Sequence, residues 1–167
     1  MTQASTPSSQ PDTADPLVVM RKAAQRIMAN SLLADIEAVW HSAGLPLPQT
    51  ADVTVLRGPE IGLMMVRARA GGDGQLFNLG EMTVTRCSLS LGGELVGHGY
   101  VAGRSGRHAE FCALSDALAQ SEPETETLQT EVLAPLAETL EARQREEVEK
   151  AAATRVDFFT LVRGEDE

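Results

Sequence analysis

The spacing of apolar residues changes period twice along the chain. Val19, Ala23 and Ile27, with Met20, Ala24 and Met28, recur at i, i+4 and predict an amphipathic helix. Asn30-Ser31 interrupts it, and Ser31 is placed to cap a second helix that buries Leu32, Ile36, Val39, Trp40 and Ala43 and stops at Gly44 and Pro46. Trp40 reads as core and His41 as helix surface. From Asp52 the period falls to two. Val53 and Val55 lead to a Gly58-Pro59 turn, and Ile61 to Arg69 reads as a second strand. The glycine-rich turn Gly71-Gly72-Asp73-Gly74 precedes a long strand from Leu76 to Leu91, and Glu94 to about Ala102 returns. Helical spacing resumes after Ser105, a good cap, with Ala109, Cys112, Ala113, Asp116 and Leu118 through Gln120. Thr125 to Ala153 reads as a long charged helix with Leu128, Val132, Leu136 and Leu140 on one stripe, and Pro135 predicts a kink or two consecutive helices. The expected fold is α+β: an antiparallel meander sheet of about four strands packed with N-terminal and C-terminal helices.

Gly92-Gly93 reads as a two-residue hairpin loop, and a loop length fixes a register. With Leu91 opposite Glu94, Cys87 faces His98 and Thr85 faces Tyr100, while Arg86 faces Gly99 and Ser88 faces Gly97. Glycines inside a strand mark a place where something approaches the backbone. Arg86 then lies over bare backbone, either open to an anion or filling the space itself.

Composition narrows the function classes. The chain has 167 residues, 43% hydrophobic, which is one domain with a real core. Residues 1–16 are polar, with no Lys or Arg, and read as a disordered tail; residues 17–167 read as a single domain. No apolar run approaches the roughly 20 residues that span a bilayer. Cys87 and Cys112 are not a secreted disulfide framework, so cytoplasmic residence with free thiols is the expectation. With 14 basic against 24 acidic residues and a formal net charge of −10, binding to nucleic acid or to an anionic membrane is excluded as a bulk-charge effect. The charge is uneven. Nine Glu stand against Arg143, Arg145 and Lys150 between Glu122 and Lys150, whereas six Arg outnumber Glu60, Asp73, Glu81 and Glu94 between Arg57 and Arg107.

Candidate anion chemistry therefore lies in the middle of the chain. Gly103-Arg104-Ser105-Gly106-Arg107-His108 is a glycine- and arginine-bearing turn feeding a helix N-terminus, where free N–H groups and the dipole favour anions. It lacks the Gly-Lys-Ser/Thr ending of a phosphate-binding P-loop. Arg86, Arg104, Arg107 and His108 are the candidate contacts. His108 and Cys112 at i, i+4, with Cys87 facing His98, compose a two-Cys, two-His set, but the spacing is not that of a structural zinc motif, and no metal and no cofactor are assigned to the chain. Near the C-terminus, Arg155-Val156-Asp157-Phe158-Phe159-Thr160-Leu161-Val162-Arg163-Gly164 holds two of the four Phe between arginines. Such a segment must dock, and Arg155, Asp157, Phe158, Phe159 and Arg163 are the candidate docking residues.

That ending resembles the G subunit of the carbon–phosphorus lyase system, the PhnG family. Ala70-Gly71-Gly72-Asp73-Gly74, Thr83-Val84-Thr85-Arg86, Gly99-Tyr100-Val101-Ala102-Gly103-Arg104 running into His108-Ala109-Glu110, and Asp116-Ala117-Leu118-Ala119-Gln120 agree with it, in order from about residue 17 to the end. The resemblance implies a subunit of alpha-D-ribose 1-methylphosphonate 5-triphosphate synthase, in which a phosphonate displaces adenine from ATP. It implies H, I and J subunits and an ABC-type ATPase as partners, no activity of the chain alone, and no assigned catalytic residue. A free-standing phosphonate- or nucleotide-binding module and a purely structural assembly subunit are the alternatives.

Overall fold

The computed structural model describes residues 15–153; the tail 1–14 and the segment 155–164 lie outside them. Helix α1 (Pro16–Asn30) takes in the last residue of the expected tail, because Asp15 accepts a hydrogen bond from Leu17 N and Pro16 is suited to the first helical turn. Ser31 ends α1 rather than starting the next helix: its N–H and hydroxyl both donate to the Ile27 carbonyl, at 3.0 and 2.8 Å. Helix α2 (Leu33–Ala43) begins after Leu32 with no side-chain cap, and Leu32 is exposed rather than buried. It ends at Gly44, which has φ 65°, the left-handed conformation a helix stop favours.

The sheet has three antiparallel strands in the order β1 (Val53–Arg69), β2 (Leu76–Leu91) and β3 (Leu95–Ala102), not four. The Gly58-Pro59 turn is absent. Arg57 pairs with Ser88 and Glu60 with Arg86, so Gly58 and Pro59 oppose Cys87 alone and one strand runs through a bulge. Proline is tolerated there because β1 is an edge strand and the bulge leaves it out of the ladder. A β-carbon on Gly106 would meet Pro59 Cβ at 3.0 Å, so the bulge lies against the start of the next helix.

The β2–β3 register also differs from expectation by one residue. The loop is Gly92-Gly93-Glu94, with both glycines left-handed at φ 62° and 78°, and Leu91 pairs with Leu95. A one-residue slip moves every neighbour: Cys87 opposes Gly99, Leu89 opposes Gly97, and Arg86 opposes Tyr100. Something does approach the glycine backbone, and it is helix α3 (Gly106–Leu118). A β-carbon on Gly97 would lie 1.9 Å from Ala113 O, and one on Gly99 would lie 2.0 Å from Ala109 O. Ser105 caps α3 as expected, its hydroxyl accepting from His108 N at 3.2 Å.

Helix α3 is the centre of the molecule. Every residue from His108 to Ala119 except Glu110 is buried. A helix enclosed on all sides needs small or apolar residues all round, and the alanines supply that. Trp40 meets Phe111 edge-on, with centroids 5.2 Å apart, and donates its indole N–H to Pro46 O. Then come α4 (Glu122–Thr127), a π-helical turn Leu128–Leu133, and α5 (Ala134–Ala153). The expected kink at Pro135 is this π turn. A proline N cannot donate and its ring crowds the carbonyl four residues back, and widening the preceding turn relieves both. Leu128, Val132 and Leu136 are buried on the expected stripe.

Candidate functional site

The four candidate anion contacts do not converge on one open site. Arg86 projects from β2 beside Tyr100, and its guanidinium lies 3.1–3.2 Å from Glu60 Oε2. Glu60 also accepts from Arg57 Nε at 2.8 Å, and these arginines, Arg57 first, hold its carboxyl below the usual range. Arg107 pairs with Glu37 and lies 5.2 Å over the Phe111 ring. His108 is buried and its Nε2 is 2.8 Å from Met28 O; a carbonyl only accepts, so that nitrogen carries the proton. Arg104 alone of the four is exposed and without an ion pair to a described residue, beside the N-terminus of α3.

The two-Cys, two-His set is not assembled. The corrected register puts Gly99, not His98, opposite Cys87. His98 Nδ1 is 2.9 Å from Ser88 Oγ, and the Cys87 thiol reaches Arg57 O at 3.4 Å. Burial pushes Cys87 up to about 11, with Glu110 adding to the shift, and Cys112 up to about 12. Thiols held neutral in this way are poor nucleophiles and poor ligands. Among the described residues no three His, Cys, Asp or Glu side chains gather in a way that would hold a metal ion.

Two features escaped the sequence. One is a buried ion pair. Asp116 of α3 accepts from Arg21 Nε and Nη2, both at 2.8 Å, and from His98 N at 2.9 Å. The bidentate bond to Asp116 raises the Arg21 guanidinium above its ordinary range. No local pattern links residues 95 apart in sequence, so the pair was invisible. The other is an arm. The β2–β3 pairing ends at Val84 and Ala102, whereas β1 and β2 continue paired to Arg69 and Leu76. Leu63, Met64, Met65, Leu76, Phe77 and Leu79 of this two-stranded ribbon, and Ile61 just before it, are exposed. The signal for it was Leu63-Met64-Met65-Val66, four apolar residues in a row where a one-faced strand would alternate.

A small α+β body carries a two-stranded apolar arm, the kind of exposed patch that marks an interaction surface. Residues 19–164 match the family described as Phosphonate metabolism protein PhnG, and the chain belongs to that family. It is similar to the alpha-D-ribose 1-methylphosphonate 5-triphosphate synthase subunit PhnG of Rhizobium meliloti (strain 1021), 41% identical over 152 residues that cover 89% of this chain and 92% of the relative. Among the described residues, no helix is long and apolar enough to cross a membrane.

Proposed function

We propose that this chain is the G subunit of an alpha-D-ribose 1-methylphosphonate 5-triphosphate synthase, acting in phosphonate catabolism as one part of a transferase and inactive alone. The observation that carries this reading is the 41% identity to a synthase subunit across nearly all of both chains. The exposed arm supports it, because a subunit needs a surface to give to its partners. In the reaction the C1′–N9 bond of ATP breaks, a bond from a phosphonate oxygen to C1′ forms, and adenine leaves with a proton. The partners are the H, I and J subunits and an ABC-type ATPase, and the setting is cytoplasmic. The segment Arg155 to Gly164 docks on one of these partners through Phe158 and Phe159.

The chemistry asks for positive potential around a highly anionic substrate and an acid for the departing base. Arg104 is the residue best placed to lend potential to a shared site, since its charge is not neutralised by a described carboxylate. Arg86 and Arg107 are committed to Glu60 and Glu37, and that pairing favours a structural share for both. The test is reconstitution of the synthase from purified subunits with and without this chain, following adenine release from ATP in the presence of methylphosphonate. Release that requires this chain, with none from the chain alone, is the expected result. Full release without it overturns the proposal.

A further inference from the structure

The two edges of the sheet are treated differently. On β3, outward groups of Val96 and His98 are already bonded: Gln120 Nε2 donates to Val96 O and Gln25 Nε2 to His98 O, each at 2.8 Å, while Asp116 accepts from His98 N at 2.9 Å. Side chains thus block the Val96–His98 stretch of that edge against another strand, a common protection of natural sheets. On the opposite side no described strand or side chain lies along the outer edge of Ile61–Arg69. From Leu63 to Arg69 the ribbon is only two strands wide, a width that is marginal in water without a further partner. By strand alternation Ile61, Leu63 and Met65 stand on one face, followed on that face by Arg67 and Arg69. Leu63 is 67% exposed, and Arg67 has no ion pair to a described residue.

We infer that the outer edge of β1 over Ile61–Arg69 accepts an extended segment of another subunit of the synthase, which pairs as an added strand and offers apolar side chains against Ile61, Leu63 and Met65 and a carboxylate against Arg67. This rests on the subunit role proposed above. A free edge selects an extended backbone, since main-chain bonds are what it has to give. Charge selects a different chain over a second copy. Antiparallel self-pairing centred on Leu63 sets Arg57 opposite Arg69 at both ends and Pro59 opposite Arg67, so like charges meet and no carboxylate reaches Arg67. The side chains bonded at Val96 and His98 leave the β3 edge of a second copy only a short free stretch to offer.

The test is co-expression with the other synthase subunits and capture on a tag carried by this chain. Leu63→Glu and Arg67→Glu are compared with wild type and with Val148→Glu, a change at an equally exposed site on α5. The expected result is unchanged circular dichroism and melting for all three variants, with capture reduced at least tenfold for Leu63→Glu and Arg67→Glu and intact for Val148→Glu. A photo-crosslinking phenylalanine at position 63 should join this chain to one other subunit. Wild type that captures no subunit overturns the subunit role and this inference together. Wild type that captures them as well as the arm variants do overturns this inference alone, as does a crosslink joining two copies of this chain.

Discussion

Strand β2 runs through two different environments, and the contrast between them explains most of the molecule. From Val84 to Leu91 it lies between β1 and β3 under helix α3, and Val84, Thr85, Cys87, Leu89 and Ser90 are buried. From Leu76 to Glu81 it has only β1 beside it, and every residue is exposed. Pairing with β1 serves both halves, interrupted only by local register shifts. Secondary structure alone therefore does not distinguish a finished core from an unfinished surface; the third strand and the helix do. The body closes its own edge and fills its own interior, and the arm does neither.

Changes in the body should cost far more stability than changes on the arm. The largest effect is expected at Gly99. In Gly99→Ala the new methyl meets the Ala109 carbonyl and Ala113 N, at 2.0 and 2.8 Å, so backbone rather than a mobile side chain must yield. A loss of about 3 kcal/mol or more in urea unfolding is the expected outcome, at the top of the range for overpacking. Gly80→Ala on the arm, where a β-carbon meets nothing within 4 Å, should shift stability by less than about 0.5 kcal/mol. Equal losses at the two glycines would erase the distinction.

Next comes Asp116→Ala, which leaves Arg21 and the His98 N–H without their acceptor. About 2 kcal/mol should be lost, since Asp116 is buried while Arg21 keeps some water. A smaller loss for Glu60→Ala is expected, because that carboxylate and its arginines are all exposed.

The thiols give a pH test of the same contrast. Unfolded thiols titrate near 9.0, whereas those of the body are raised to about 11 and about 12. Between those limits the unfolded chain has lost protons that the native chain keeps, so native stability should fall as pH rises above about 9. Cys112→Ala should flatten that fall while lowering stability at neutral pH. At pH 8, a thiol reagent should label Cys87 and Cys112 only at the rate of unfolding. Rapid labelling of the native chain would show that the body is not closed. Leu79→Gln, far out on the arm, should be the least perturbing change, within about 0.5 kcal/mol of wild type by thermal melting.

The parts that could be read from sequence were those fixed locally. Helix α3 and its Ser105 cap, the buried Trp40, the Leu128–Leu136 stripe and the long strand Leu76–Leu91 follow from spacing and capping. The misreadings came where one local signal had two physical outcomes. Gly58-Pro59 suits either a turn or an edge bulge, and only the pairing across to Cys87 decides. Gly92-Gly93 opens either a two- or a three-residue loop, and the difference of one residue moved Arg86 from Gly99 to Tyr100. Of the candidate anion contacts, only the position of Arg104 beside the start of α3 was legible, because its neighbours in sequence set it. The partners of Arg86, Arg107 and His108 lie 26, 70 and 80 residues away, beyond any local pattern.

Hydrogen exchange of the backbone, measured on the isolated chain and again in the reconstituted assembly, tests the division between body and arm most directly. In the isolated chain the amides of Val84–Leu91 and α3 should be slow and those of Ile61–Arg69 and Leu76–Glu81 fast. On assembly the Ile61–Arg69 amides should slow by at least about tenfold while α3 changes little. An arm already protected in isolation, or one whose exchange assembly leaves untouched, would contradict the account.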